Sequence, residues 1–195
     1  YQPFDQWCYS RSSIHEESCH AEGTSTNKDA SGYSGGHSDY CMHFETGYYL
    51  YHTPSTEEKP TSKITLAAWI KLASADDHDN IISLANHQNG PDYYSYGLKV
   101  HSNGYVSFVL SFTDGTNDVS VTTTTSVSFG NYWNFVVGTY DSSLGTNNLK
   151  IYLYHDDSTA HTNQYTDSGT IEYSGSYNIE LHRYKSSTCE LVGEI

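Results

Sequence analysis

Charge is scarce in this chain, and what there is leans one way. Of 195 residues only 16% are charged, 9 basic against 23 acidic, for a formal net charge of −14. So acidic a surface repels phosphate backbones and anionic lipid, which argues against nucleic acid or a membrane surface as partner. It attracts cations, and calcium with oxygen ligands is the natural one outside a cell. No run approaches the roughly 20 apolar residues of a spanning helix, so no membrane insertion is expected. No C-x-x-C pair occurs, which removes zinc ribbons and thioredoxin-like redox motifs. No N-x-[ST] acceptor for Asn-linked sugar is present either. P-loop and dinucleotide fingerprints are missing, and a nucleophile elbow of the G-x-S-x-G kind belongs to α/β folds. The eleven His fall singly along the chain, as at His15, His20, His37 and His43, so a zinc enzyme is not expected.

What is present favours strands. The chain holds 19 Tyr and a single Met, with 36% hydrophobic and 14% aromatic residues. Tyr and Thr suit a pleated, half-wet surface. The four cysteines are Cys8, Cys19, Cys41 and Cys189. An even number at wide spacing fits two disulfides, and three pairings are open. The favoured one is Cys8–Cys19 with Cys41–Cys189. Its first bridge closes a short loop in a segment too polar to fold alone. The second ties the start of the core to its end, a long closure that stabilises by about 4–5 kcal/mol in the chain-entropy view. Oxidised cysteines imply an extracellular or secreted protein. The chain opens at Tyr1 rather than Met, which reads as a mature or truncated product whose signal peptide is gone.

Residues 1–40 read as a loop-rich, disulfide-bonded annex without periodicity, and Trp7 is expected over its first disulfide. From 41 to 195 the pattern alternates with period two between turn clusters. Candidate strands are CMHFE and GYYLYH, joined by a Thr-Gly turn, then ITLAAWIKLA, IISLAN, YGLKVH, YVSFVLSF and VSVTTTT. YWNFVVGTYD, LKIYLYH, GTIEY and NIELHRY follow. Ile64, Leu66, Ala68 and Ile70 share one face of their strand, with Trp69 opposite. The Ser102-Asn103-Gly104 turn predicts a tight hairpin using positive φ angles. The whole predicts an all-β, two-sheet antiparallel sandwich.

Five stretches, in order, carry a family resemblance: ITLAAWIKL (64–72), NIISLAN (80–86), YGLKVHSNGYVSFVLS (96–111), NYWNFVVGTYD (131–141) and LKIYLYHDD (149–157). Together they resemble the laminin-G-like jelly roll of the concanavalin A-like lectin superfamily. The resemblance implies a jelly-roll sandwich. It also implies a calcium site built from Asp92, a carbonyl at Val109 and Asp167. Asp76, Asp77 and Asp79 form a second acidic cluster that looks like a ligand set but fits a solvated hairpin tip equally well. Two departures stand out. His155, Asp156 and Asp157 replace the family's Asp-Gly turn. The chain stops at Leu191, Gly193 and Ile195, where the family adds one more strand beside the N-terminal one. Either the segment is truncated, or the edge is left open, or a neighbouring chain supplies the strand; unpaired edge groups invite other chains or copies of this one.

The same superfamily includes glycoside hydrolases, whose paired carboxylates come from an E-x-D-x-x-E strand. That string is absent, and Glu172 and Glu180 lack a partner at the needed spacing. Sugar recognition without catalysis needs an aromatic platform beside amides and carboxylates, and the loop 87–96 offers Tyr93 and Tyr94 near Asn89. Trp69 and Trp133 sit in apolar strands and read as core. The sequence therefore predicts a non-catalytic extracellular adhesion or structural module of a larger assembly. The alternative is a calcium-dependent, carbohydrate-binding lectin-like module; a glycosidase comes third.

Overall fold

Alternation of apolar and polar residues leaves one solution for these strands, two sheets closing on each other. In the computed structural model the described residues are 8–9, 15–16, 42–44, 50–75, 79–86, 93–113, 118–130, 132–155, 160–167, 169–173, 175, 177–181 and 192–194. Among them there is no helix. The strands are β1 (Cys8–Tyr9), β2 (His15–Glu16), β3 (Met42–Phe44), β4 (Leu50–His52), β5 (Lys63–Ser74), β6 (Asp79–Asn86) and β7 (Tyr93–Val100). They continue as β8 (Val106–Leu110), β9 (Val119–Thr122), β10 (Asn134–Asp141), β11 (Leu149–Tyr154), β12 (Ala160–Tyr165), β13 (Ile179–Leu181) and β14 (Val192–Glu194).

Sheet I has the order β1-β4-β13-β6-β7-β8-β9, and sheet II the order β12-β11-β10-β5-β14-β3-β2. The inner faces supply the core. Leu84, Tyr96, Leu98, Val100, Phe108 and Leu110 of sheet I meet Ile70, Leu72, Val136, Tyr140, Ile151 and Leu153 of sheet II. Each such side chain contributes about 1.5–3 kcal/mol by leaving water. The sheets approach closely where Gly138 faces Phe108. A Cβ at Gly138 would lie 2.5 Å from the Phe108 ring.

Several expectations change. The chain's last segment itself forms a strand: β14 fits between β5 and β3, with Gly193 opposite both Leu72 and Phe44. The edge expected to be open is therefore covered by the chain's own residues, with β3 and β2 beyond it. β3 and β4 belong to different sheets; the Thr-Gly turn between them lies outside the described residues. β5 belongs to sheet II and β6 to sheet I; Asp76 and Asp77 between them lie outside the described residues, and Asp79 opens β6. The β7–β8 turn is there, with Gly104 N–H donating to His101 O at 2.7 Å. Only Gly104 turns left-handed in it, at φ 81°, while Asn103 keeps an ordinary backbone. GTIEY contributes one bridge, Ile171 to Phe112, instead of a strand. The annex sends an edge strand to each sheet, β1 beside β4 and β2 beside β3.

Candidate functional site

Which outer surface could act is decided by register, because directly paired residues share a face. On sheet I the row Glu180, Ser83, Gly97, Val109, Ser120 runs across β13, β6, β7, β8 and β9. It is mostly withdrawn from solvent. Glu180, Ser83 and Val109 are buried, as are Asn80 and Ser107 in the neighbouring row. Tyr94 lies here too, 3% exposed, in a small apolar cluster with Ala85 and Val109. Its hydroxyl donates to Asn80 Oδ1 at 3.0 Å, and its ring covers the Gly97 backbone with Lys99 Nζ 5.7 Å from its centroid. Tyr94 is therefore not the open platform that the sequence suggested. Tyr93 begins β7 opposite Asn86; its side chain lies outside the described residues, as do Asn89 and Asp92.

Sheet II presents a different face. Trp69, Phe135 and Tyr154 are in direct register on β5, β10 and β11. The odd-numbered β5 side chains point away from the core that Leu66, Ile70 and Leu72 enter, so Trp69 is on the outside. It stacks on Phe135 with centroids 4.8 Å apart, and Phe135 meets Tyr154 at 6.0 Å. Placing Trp69 and Trp133 in the core was wrong. Both are half-buried, and Lys71 Nζ sits 5.3 Å from the Trp133 ring centroid. A cation over an indole face contributes about 0.5–1 kcal/mol at a wet site.

The aromatic row ends at a rim that one buried amide organises. Asn134, at the start of β10, is fully buried. Ser128 N–H donates to its Oδ1 at 3.0 Å, while its Nδ2 donates to the carbonyls of Ser128 and Tyr132 at 3.0 and 3.2 Å. Gly130, left-handed at φ 91°, turns the chain there and donates its N–H to Leu72 O at 2.7 Å. This fixes Tyr132, whose side chain stands 56% exposed. His155 follows β11 and its Nδ1 lies 3.0 Å from Asn134 Oδ1. His161 of β12 packs edge-on against it. This end of sheet II thus carries an exposed tyrosine, a lysine over an indole and two imidazoles, groups of the kind that orient a polar ligand with apolar faces.

The calcium set is only partly described. Val109 is buried in mid-strand with β7 and β9 paired on either side. Asp167 stands at the Asn148 end of sheet II, where its N–H donates to Asn148 Oδ1 at 3.0 Å and its carbonyl accepts from Asn148 Nδ2. Among the described residues no three His, Cys, Asp or Glu side chains gather at one point. Of the cysteines, Cys8 stands in β1 opposite Tyr51; Cys19, Cys41 and Cys189 lie outside the described residues, as does Trp7.

Sequence comparison matches residues 45–195 to a laminin-G-type model of the concanavalin A-like lectin/glucanases superfamily. No curated protein matches the chain in sequence. Among solved structures, the CBM40 module of the Ruminococcus gnavus IT-sialidase, bound to α2,3-sialyllactose, is similar with TM-score 0.53 and 19% identity over 74% of this chain and 80% of that one. Domain 4 of AbnA, a GH43 extracellular arabinanase from Geobacillus stearothermophilus in complex with arabinotriose, has TM-score 0.57 and 10% identity, over 93% and 77%. The binding domain of Paraclostridial Mosquitocidal Protein 1 has TM-score 0.54 and 11% identity, over 82% of this chain and 41% of that one. At these identities the likeness is one of fold.

Proposed function

Since the chain belongs to the concanavalin A-like lectin/glucanases superfamily, we propose that it is a non-catalytic, glycan-binding module. The observation that carries this reading is the end of sheet II where β10 begins: Tyr132 is exposed, Lys71 covers the Trp133 ring and His155 meets Asn134. Similar folds in solved structures hold sialyllactose and arabinotriose, which supports a saccharide as ligand class. The absence of an E-x-D-x-x-E strand supports binding without hydrolysis. Adhesion is one use of such a site. Self-assembly through an open edge loses its support, because β14, β3 and β2 occupy that edge.

The test is a glycan array followed by calorimetry on the strongest ligand. Tyr132→Ala is expected to weaken binding at least tenfold while changing stability by no more than about 0.5 kcal/mol, as for an exposed side chain. Unchanged affinity in that variant would remove the rim as the site. Calcium at Asp92, Val109 and Asp167 is a separate proposal that rests on the resemblance. Repeating the array after chelation tests it, and hits that survive chelation sink it. The secreted location and the pairing Cys8–Cys19 with Cys41–Cys189 are supported by the cysteine number and spacing. Peptide mapping without reduction decides the pairing.

A further inference from the structure

Beyond any role in sugar recognition, we propose that His155 and His161 form a binding site for a borderline transition-metal ion such as Zn2+ or Cu2+. Their ring centroids are 5.1 Å apart with planes at 62°. Two imidazoles that share one tetrahedral metal through nitrogens at about 2.0–2.1 Å hold their ring centres roughly 5 Å apart, the spacing these two rings have.

The surroundings set the protonation state that a metal requires. Asn134 Oδ1 accepts from Ser128 N–H, and the amide nitrogen donates to two carbonyls. The amide therefore cannot be turned round, and the atom facing His155 is an acceptor. His155 Nδ1, 3.0 Å from it, must be the donor. A neutral His155 then carries its lone pair on Nε2, the nitrogen left for a ligand. His161 Nδ1 lies 3.2 Å from Thr125 Oγ1, a hydroxyl that can accept in the same way. Holding the far ring nitrogen by a carbonyl or hydroxyl is how metal-ligating imidazoles are oriented, and removing such partners weakens metal binding about 10–100-fold. Both rings are half-buried at the strand ends, so water can complete the coordination. Imidazole ligands suit zinc, copper and nickel rather than calcium. The chain's net charge of −14 adds a general attraction for cations.

Calorimetry with ZnCl2 on the intact, oxidised chain is the experiment, alongside His155→Gln and His161→Gln. The expected result is one Zn2+ equivalent whose affinity falls at least tenfold in either variant, with melting temperatures in chelator kept near that of the parent. Zinc binding of unchanged stoichiometry and affinity in both variants would overturn the site, since other histidines would then be the ligands. A second measurement needs no substitution: diethyl pyrocarbonate labelling followed by peptide mass analysis. Zn2+ should protect the peptides carrying His155 and His161; equal labelling with and without metal also overturns the proposal.

Discussion

The outer faces of the two sheets are built from opposite materials. On sheet I polar side chains, Asn80, Ser83, Ser107 and Glu180, are buried. On sheet II aromatic side chains, Trp69, Phe135 and Tyr154, remain half in water. A buried polar face is held by hydrogen bonds that any ligand would have to replace. A half-open aromatic face carries apolar area that a ligand can cover at little desolvation cost. The proposed glycan site is therefore on sheet II and its rim, although the sequence pointed to the loop entering β7 of sheet I.

The contrast exists only while the inner faces hold the sheets together, so the largest effect is expected there. Phe108, fully buried, fills the hollow left by Gly138. Phe108→Ala should cost about 3–5 kcal/mol in chemical denaturation. A loss under 1 kcal/mol would mean that the sheets do not meet there. Next comes crowding on the outer face of sheet I. A Cβ at Gly97 would sit 3.0 Å from the Tyr94 ring and 3.3 Å from Ser83 Cβ. Gly97→Val should therefore destabilise by about 1–3 kcal/mol through overpacking. A neutral outcome would show that this face is as open as that of sheet II. Smaller again is the aromatic row. A double-mutant cycle on Trp69→Ala and Phe135→Ala should give a coupling of about 0.5–1.5 kcal/mol. Additive losses would dissolve the row into two independent side chains.

Much of this was legible where one face of a strand is apolar. ITLAAWIKL alternates over its length, and the structure returns it as β5 with Leu66, Ile70 and Leu72 buried. The same period put Trp69 on the opposite face, yet its size and hydrophobicity suggested core. Its companions on that face come from strands far away in sequence, and only the β5–β10–β11 register brings them together. β12 was missed because AHTNQY is an edge strand, exposed along nearly its whole length, so it carries no alternation. β14 was missed because three residues are too few for a pattern. His155 and His161 looked scattered for the same reason as the aromatic row: the β11–β12 pairing that unites them is set by Leu149–Tyr165 and its neighbours.

The smallest effect concerns the strap between β4 and β5, which caps one end of sheet I. Tyr96 donates its hydroxyl to Glu58 O at 3.1 Å and Tyr173 to Pro60 O at 2.7 Å, and burial raises both phenols well above their ordinary range. The Glu58 carboxylate accepts from Ser55 N–H at 2.7 Å and faces His52 Nε2 at 3.1 Å. Burial pushes its pKa up, but the bonds from Ser55 and His52 together outweigh burial, so it lies below the ordinary 4.5. A carboxyl lowered on folding adds stability that is complete above its unfolded value and is lost as pH falls through its folded value. The strap should accordingly loosen as pH drops below 4.5, with no change between pH 6 and 8 from this group. Asp141, by contrast, is held down to about 2 by the Ser143 hydroxyl, Lys63 and the Ser143 N–H. It ends β10 at a solvent-exposed turn, where solvent screens the pair and little stability depends on it. Glu58→Gln should flatten part of the acid decline in melting temperature, whereas Lys63→Ala should leave the decline between pH 6 and 3.5 unaltered. If the two variants give the same acid slope as the parent, the strap is not what acid loosens in sheet I.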